Sequence, residues 1–216
     1  MKNILMNTEM AKAIVEGRKT QTRRVIKDNL DSVELILKKD YSMECFIKKH
    51  SKFQKDEVIW VREPAKISQV FFNNNHKMAM KYKFLSDGQE FNMEVPERFR
   101  HTKEELGETI VAYPKWLKNN RGIPNGCIKE MARIFIKITD VRVEKIQDIS
   151  DSDMLKEGIK SSYTKSKHDD IQSWNKKATI SLRYNFINLW NKTAPNGYKW
   201  DDNPFVFVYD FEVVSK

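Results

Sequence analysis

Cysteine is nearly absent from this chain: Cys45 and Cys127 are the only two in 216 residues, and their separation excludes a disulfide framework or a zinc-ligand spacing. Histidine is as sparse. His50, His76, His101 and His168 form no pair at the spacing a helix-borne metal site needs, so neither a metal nor another cofactor is expected. Long apolar runs are missing too. The opening Met1–Asn7 is too short for a signal peptide and no later stretch approaches a membrane span, which predicts a soluble cytoplasmic protein without membrane contact. There is no glycine-rich phosphate loop, no Ser-His-Asp order, no paired-carboxylate motif, no internal repeat and no heptad pattern. Negative charge is also in deficit. Thirty Asp plus Glu face thirty-nine Lys plus Arg, a formal charge of +9 that favours RNA or a nucleoside or nucleotide as partner.

What is present is enough apolar material for a core, 40% hydrophobic with 11% aromatic residues. The length and pattern predict one α+β domain over residues 1–216, elaborated at about 65–127 and 160–177. The densest chemistry lies in Gly17-Arg18-Lys19-Thr20-Gln21-Thr22-Arg23-Arg24, with four cations and two hydroxyls in eight residues. Before it, Thr8 is a candidate cap for a helix over Glu9–Glu16, and Gly17 can take the left-handed conformation that ends one. After it, Val25 and Ile26 begin a strand. A basic segment held at both ends has its charges aimed, as a ligand-facing loop requires.

Further along, Val33–Leu37 and Cys45–Lys48 read as strands around a polar turn at Asp40. Asp56–Glu63 is an apolar strand ended by Pro64, with Trp60 and Arg62 on one face, placed either to stack a base or to fill the core. Met78–Phe84 is a strand, Ser86-Asp87-Gly88 a turn, and Pro114–Lys118 a helical turn. Met131–Ile146 is the longest strand signal, and its alternation changes phase at Thr139-Asp140, the mark of a bulge. Ser150 then caps a helix that runs to Glu157 and stops at Gly158. A carboxylate in a last helical turn opposes the helix dipole, so Glu157 is expected to serve a cationic partner such as a lysine. Lys160–Lys177 reads as a polar loop, Ala178–Asn191 as an amphipathic helix, and Pro204–Val214 as a closing strand.

A threonine hydroxyl becomes a nucleophile when a base takes its proton, and a lysine can be that base when burial or nearby cations lower its pKa. Lys19, with Arg18, Arg23 and Arg24 around it and Thr20 and Thr22 beside it, fits that requirement. Gly17-x-Lys19 followed by four residues and Arg24 resembles the signature of the ASCH (activating-signal-cointegrator homology) family. Asn7–Ala11, Trp60-Val61-Arg62-Glu63, Val141–Ser152 with Glu157-Gly158-Ile159, and Trp200–Val206 are similar to phage and prophage members. The resemblance implies a PUA-like small mixed β-barrel flanked by helices and a function in binding RNA or a modified nucleoside. It also implies two enzymatic alternatives. One is an amidohydrolase that deacetylates acetylated cytidine with Lys19 as base, Thr22 as nucleophile and Glu157 as third member; the other is a ribonuclease. Gly17, Arg18, Thr20, Arg23, Arg24, Trp60, Arg62 and Glu63 are the expected ligand-facing residues. Strict strand alternation would put Lys19 and Thr22 on opposite faces, so catalysis needs a turn or helical kink between them.

Overall fold

The computed structural model describes residues 1–27, 42–105, 108–117, 122–123, 125–167 and 170–215. The expected strand at Val33–Leu37 and turn at Asp40 lie outside the described residues. In chain order the elements are β1 (Asn3–Leu5), α1 (Thr8–Val15), β2 (Gln21–Val25), α2 (Met43–His50), β3 (Val58–Arg62), β4 (Ala65–Phe72), β5 (Met78–Phe84), β6 (Glu90–Glu94), β7 (His101–Glu105), β8 (Glu108–Ala112), β9 (Phe135–Lys145), α3 (Asp151–Lys156), α4 (Ile171–Thr193) and β10 (Phe205–Val214). The fold is α+β. The described strands form open sheets and do not close into the barrel expected above. Among the described residues no helix is long and apolar enough to cross a membrane.

The chain divides into two compact units, one of Met1–Lys2, Ala13–Ile59 and Ile134–Lys216, the other of Asn3–Lys12 and Trp60–Arg133. In the first, β10 lies between β9 and β2 and pairs antiparallel with both. Its sequence explains that place: Phe205 to Tyr209 are all buried, the near-continuous apolar run of a strand covered on both faces. Val206 and Val208 face a core of Ile146, Ile149, Met154, Leu182, Phe186 and Trp190. On the other face Phe207 stacks on Phe46 of α2 with ring centroids 5.9 Å apart, and Tyr209 meets Phe53 edge-on at 5.2 Å. The bulge falls at the expected step, since Asp210 pairs with Asp140 while Phe211 pairs with Ile138, leaving Thr139 out of the ladder.

Four elements depart from the sequence reading. The strand expected to begin at Val25 and Ile26 is instead β2 over Gln21–Val25, so half of the basic segment read as a ligand-facing loop lies within a sheet. Cys45–Lys48 belongs to helix α2, not a strand, with Ser42 at its N-cap position and Lys48, Lys49 and His50 in its last turn, where cations complement the helix dipole. Four residues hold too little of either periodicity to separate the two states. Helix α4 begins at Ile171, inside the stretch read as a polar loop, and Asp170 caps it by accepting from the Ser173 N–H at 2.8 Å. Only Leu182, Phe186 and Trp190 of this helix are buried, so its first turns carry no apolar stripe to announce them. The long strand begins at Phe135 rather than Met131, because Lys129–Met131 forms a single 3-10 turn.

In the second unit β1 runs parallel to the end of β3, pairing Ile4 with Val61, while β4, β5 and β6 form an antiparallel meander. The β5–β6 connection is the expected turn at Ser86-Asp87-Gly88, closed by Gly88 in the left-handed region at φ +75°. A separate hairpin joins β7 to β8.

Candidate functional site

The site begins where α1 ends. Asn7, not the expected Thr8, caps that helix, its side-chain oxygen accepting from the Met10 N–H at 2.8 Å. Gly17 adopts φ +70°, and the Arg18 and Lys19 N–H groups both return to the Ala13 carbonyl at 2.9 and 3.0 Å. From there the chain meets the far end of α3. Lys19 and Glu157 form an isolated antiparallel bridge, and the Thr20 N–H donates to the Lys156 carbonyl at 2.8 Å. Helix α3 is capped by Ser150, which accepts from the Asp153 N–H at 3.1 Å, and it closes on Glu157. Gly158 follows at φ +85°. A side chain there would put a Cβ 2.8 Å from the Ala13 Cβ and 3.1 Å from the Lys19 Cβ, so glycine allows the two segments to touch.

Lys19 is buried, 1% exposed, and its ammonium spends its protons inside the protein. It donates to Glu157 Oε2 at 2.5 Å, to the Gln21 carbonyl at 2.7 Å and to the Glu157 carbonyl at 3.1 Å. Burial pulls the Lys19 pKa below its ordinary value; the Glu157 carboxylate works against that shift, and the Arg24 and Arg23 cations add to it. The arrangement can therefore hold or release one proton at the Lys19 nitrogen.

Strand β2 then separates the remaining side chains by face. Gln21 and Arg23 point to one side. Arg23 donates to Glu157 Oε1 at 3.1 Å, to Gln21 Oε1 at 2.5 Å, to Glu144 Oε1 at 2.7 and 2.9 Å, and to Asp153 Oδ2 at 3.1 Å. Gln21 donates to Asp153 and Asp210, and Arg142 reaches Asp210, Asp153 and Glu144, so one polar layer links β2, β9, β10 and α3. Thr22 and Arg24 alternate to the other side, paired in the ladder with Tyr209 and Phe207. The Thr22 hydroxyl, 1% exposed, accepts from Arg24 at 3.2 Å. Burial lowers the pKa of the Arg24 guanidinium, against the pull of Glu157 and Tyr209. Lys19 lies before the first residue of β2, and its nitrogen folds back onto the carbonyl of the peptide that leads into Thr22. The backbone from Lys19 to Thr22 runs extended, with Lys19 bridged to Glu157 and Gln21 opening β2, so the turn or kink expected between Lys19 and Thr22 is not formed. Lys19 and Glu157 are in direct contact, whereas the Thr22 hydroxyl takes its hydrogen bond from Arg24.

The other expected ligand-facing residues are divided among ion pairs, the core and the surface, and the Arg62 Nε is buried without a hydrogen-bond partner. Arg18 bonds Glu16 and donates to the Gly158 carbonyl at 2.6 Å, and Thr20 is exposed. In the second unit Trp60 is a core residue at 5% exposure, and the Arg62 carbonyl accepts from the Met6 N–H. Glu63, 1% exposed, accepts from Arg133 at 2.8 and 3.0 Å and from the Ser86 hydroxyl at 2.7 Å. Arg133 also bonds Asp87 and lies 4.0 Å over the Phe84 ring, so Glu63 is the buried anchor of a clamp on the β5–β6 turn. Arg133, Glu144, Asp153, Arg142 and Asp210 were not candidates in the sequence. A signal existed for Asp210, the lone charge within the apolar run from Phe205 to Phe211, and for Arg142 and Glu144, which alternate with Val141 and Val143.

No protein-family model, no curated protein and no solved structure matches this chain. Among the described residues no group of three or more His, Cys, Asp and Glu side chains could hold a metal ion.

Proposed function

We propose that this chain is a PUA-like, ASCH-type amidohydrolase that removes the acyl group from an N-acylated cytosine nucleoside. The observation that carries the reading is the Lys19 ammonium, buried against the Glu157 carboxylate at 2.5 Å and turned back onto the strand that bears Thr22. For catalysis neutral Lys19 must turn from Glu157 to the Thr22 hydroxyl, which bonds Arg24 at rest, and take its proton as the oxygen attacks the amide carbonyl. The tetrahedral adduct collapses with cleavage of the C–N bond, Lys19 returns the proton to the departing exocyclic amine, and Thr22 carries the acyl group as an ester. Water then attacks that ester through the same base, releasing the carboxylic acid and restoring the hydroxyl. Glu157 holds Lys19 in place and steadies it when charged. Arg24, donating to the Thr22 oxygen, favours its alkoxide.

Recognition of a cytosine nucleoside, free or within RNA, is the binding half of this reading, and the +9 charge supports a polyanionic partner. The Arg23 charge is engaged inside the protein and that of Arg18 is paired with Glu16 at the surface, so the reading rests on the Lys19–Glu157 pair rather than on a basic patch. The cytoplasm, where thiols stay reduced, suits both the substrate and the two free cysteines. Incubation with N4-acetylcytidine, followed by chromatography for cytidine and acetate, tests the proposal. Release of both products, abolished in Lys19→Ala and in Thr22→Ala, is expected. Saturable binding without turnover, or full turnover in Thr22→Ala, overturns the mechanism.

A further inference from the structure

Both oxygens of the Glu157 carboxylate are held by buried cations. Lys19 takes Oε2 at 2.5 Å and Arg23 takes Oε1 at 3.1 Å. Arg23 is itself fixed. Its side chain is 1% exposed, and Glu144 accepts from two of its nitrogens, Asp153 from one and the Gln21 side chain from another. These partners come from β9, α3 and β2, so rotating the guanidinium away from Glu157 would break bonds to three elements at once. We propose that Arg23 is a positioning residue that locks the Glu157 carboxylate and, through its own charge, lowers the proton affinity of Lys19, with Glu144 as the counter-charge that tempers its field. The inference rests on the amidohydrolase reading only for its consequence in turnover.

The charges around the pair fix the expected signs. Lys19 faces Glu157 from the end of α3 and Arg23 and Arg24 from β2, with Arg18 on the Gly158 carbonyl nearby. Arg23 faces Glu144 from β9 and Asp153 from α3; Arg142 on β9, Asp210 on β10 and Lys156 on α3 complete the layer. Tyr209 lies on the opposite face of the sheet, beside Arg24. Removing Arg23 deletes a cation that disfavours the charged lysine and leaves carboxylates that favour it. Its removal therefore raises the Lys19 midpoint. Neutralising Glu144 leaves the Arg23 charge less compensated and lowers that midpoint. Arg23→Lys keeps a charge but loses the planar fork, so it leaves the midpoint near that of the unmodified protein while releasing the carboxylate.

The experiment is a carbon-13 NMR titration of the full chain labelled at lysine Cε, with the Lys19 signal assigned by its loss in Lys19→Arg. The Lys19 midpoint should rise by about one pH unit or more in Arg23→Gln, the scale of one charge removed at short range in a buried site. It should fall in Glu144→Gln. Arg23→Lys should keep the midpoint and cut kcat on N4-acetylcytidine by on the order of tenfold or more, the scale expected for a misplaced catalytic group. Unmoved midpoints in folded Arg23→Gln and Glu144→Gln overturn the inference. If Arg23→Gln fails to fold, the Glu144→Gln arm decides alone, since that side chain is 17% exposed and its substitution is isosteric. Shifted midpoints without hydrolysis in any variant sink the amidohydrolase reading and uphold Arg23; hydrolysis with unmoved midpoints does the reverse.

Discussion

Replacing Glu157 by Gln probes the pair directly. The carboxylate is 8% exposed and neutralises Lys19 at 1%, so solvent and salt screen the interaction little. Arg23 keeps Glu144 and Asp153 after the substitution, which leaves Lys19 as the cation without a counter-charge. Breaking a buried pair from one side costs about 3–5 kcal/mol. For a chain of 216 residues this lowers the apparent Tm by roughly 10 °C. The pH dependence gives the sharper test. Lys19 titrates below its ordinary 10.5 in the folded protein, so between those two pH values the unfolded chain binds the extra proton and stability climbs as pH rises. Glu157 opposes the depression; without it the Lys19 pKa falls further and the interval extends toward neutral pH. The penalty of the substitution is therefore full near neutral pH and shrinks as pH rises, because neutral Lys19 no longer needs the carboxylate. Urea unfolding of both proteins from pH 7 to pH 10 measures this, at about 1.4 kcal/mol for each unit of pKa difference. A penalty below about 1 kcal/mol at pH 7, or one that does not change with pH, refutes the reasoning.

Gly158→Ala forces a side chain into the left-handed region and onto Ala13 and Lys19, and it should cost about 2–4 kcal/mol in urea unfolding and abolish hydrolysis through displacement of Lys19. The two thiols should separate cleanly. Cys127, fully buried and pushed up to about 11 by burial, should resist a thiol-exchange reagent at pH 8 in the folded protein. Cys45, which is exposed, should react, and titration in denaturant should count both.

How far the sequence could be read depends on whether the physics at each position is local. Ser150, Glu157 and Gly158 were legible because a cap, a terminal carboxylate and a left-handed stop act within one helix, and they led to the expectation that Glu157 has a lysine partner. The bulge at Thr139 was legible for the same reason, as a change of phase along one strand. The opening turns of α4 were not, since their helicity is supported by Asp170 and by packing that begins at Leu182 rather than by any stripe of their own. Nor was the fate of the basic segment. Charge density along the chain reports how many cations are present but not what stands across the sheet from them. The carboxylates that occupy Arg23 come from positions more than a hundred residues away, brought over by β9 and α3. Glu63 makes the same point in the second unit, where a residue at the end of an apolar strand is buried because Arg133, seventy residues on, returns to meet it. The basic segment proves to be strand β2, and alternation along it separates its side chains by face, which gives the site its form. Arg23 is committed to the interior layer that holds Glu157, while Thr22 and Arg24 are left together on the other side, so the hydroxyl keeps a cation beside it and the lysine keeps its carboxylate.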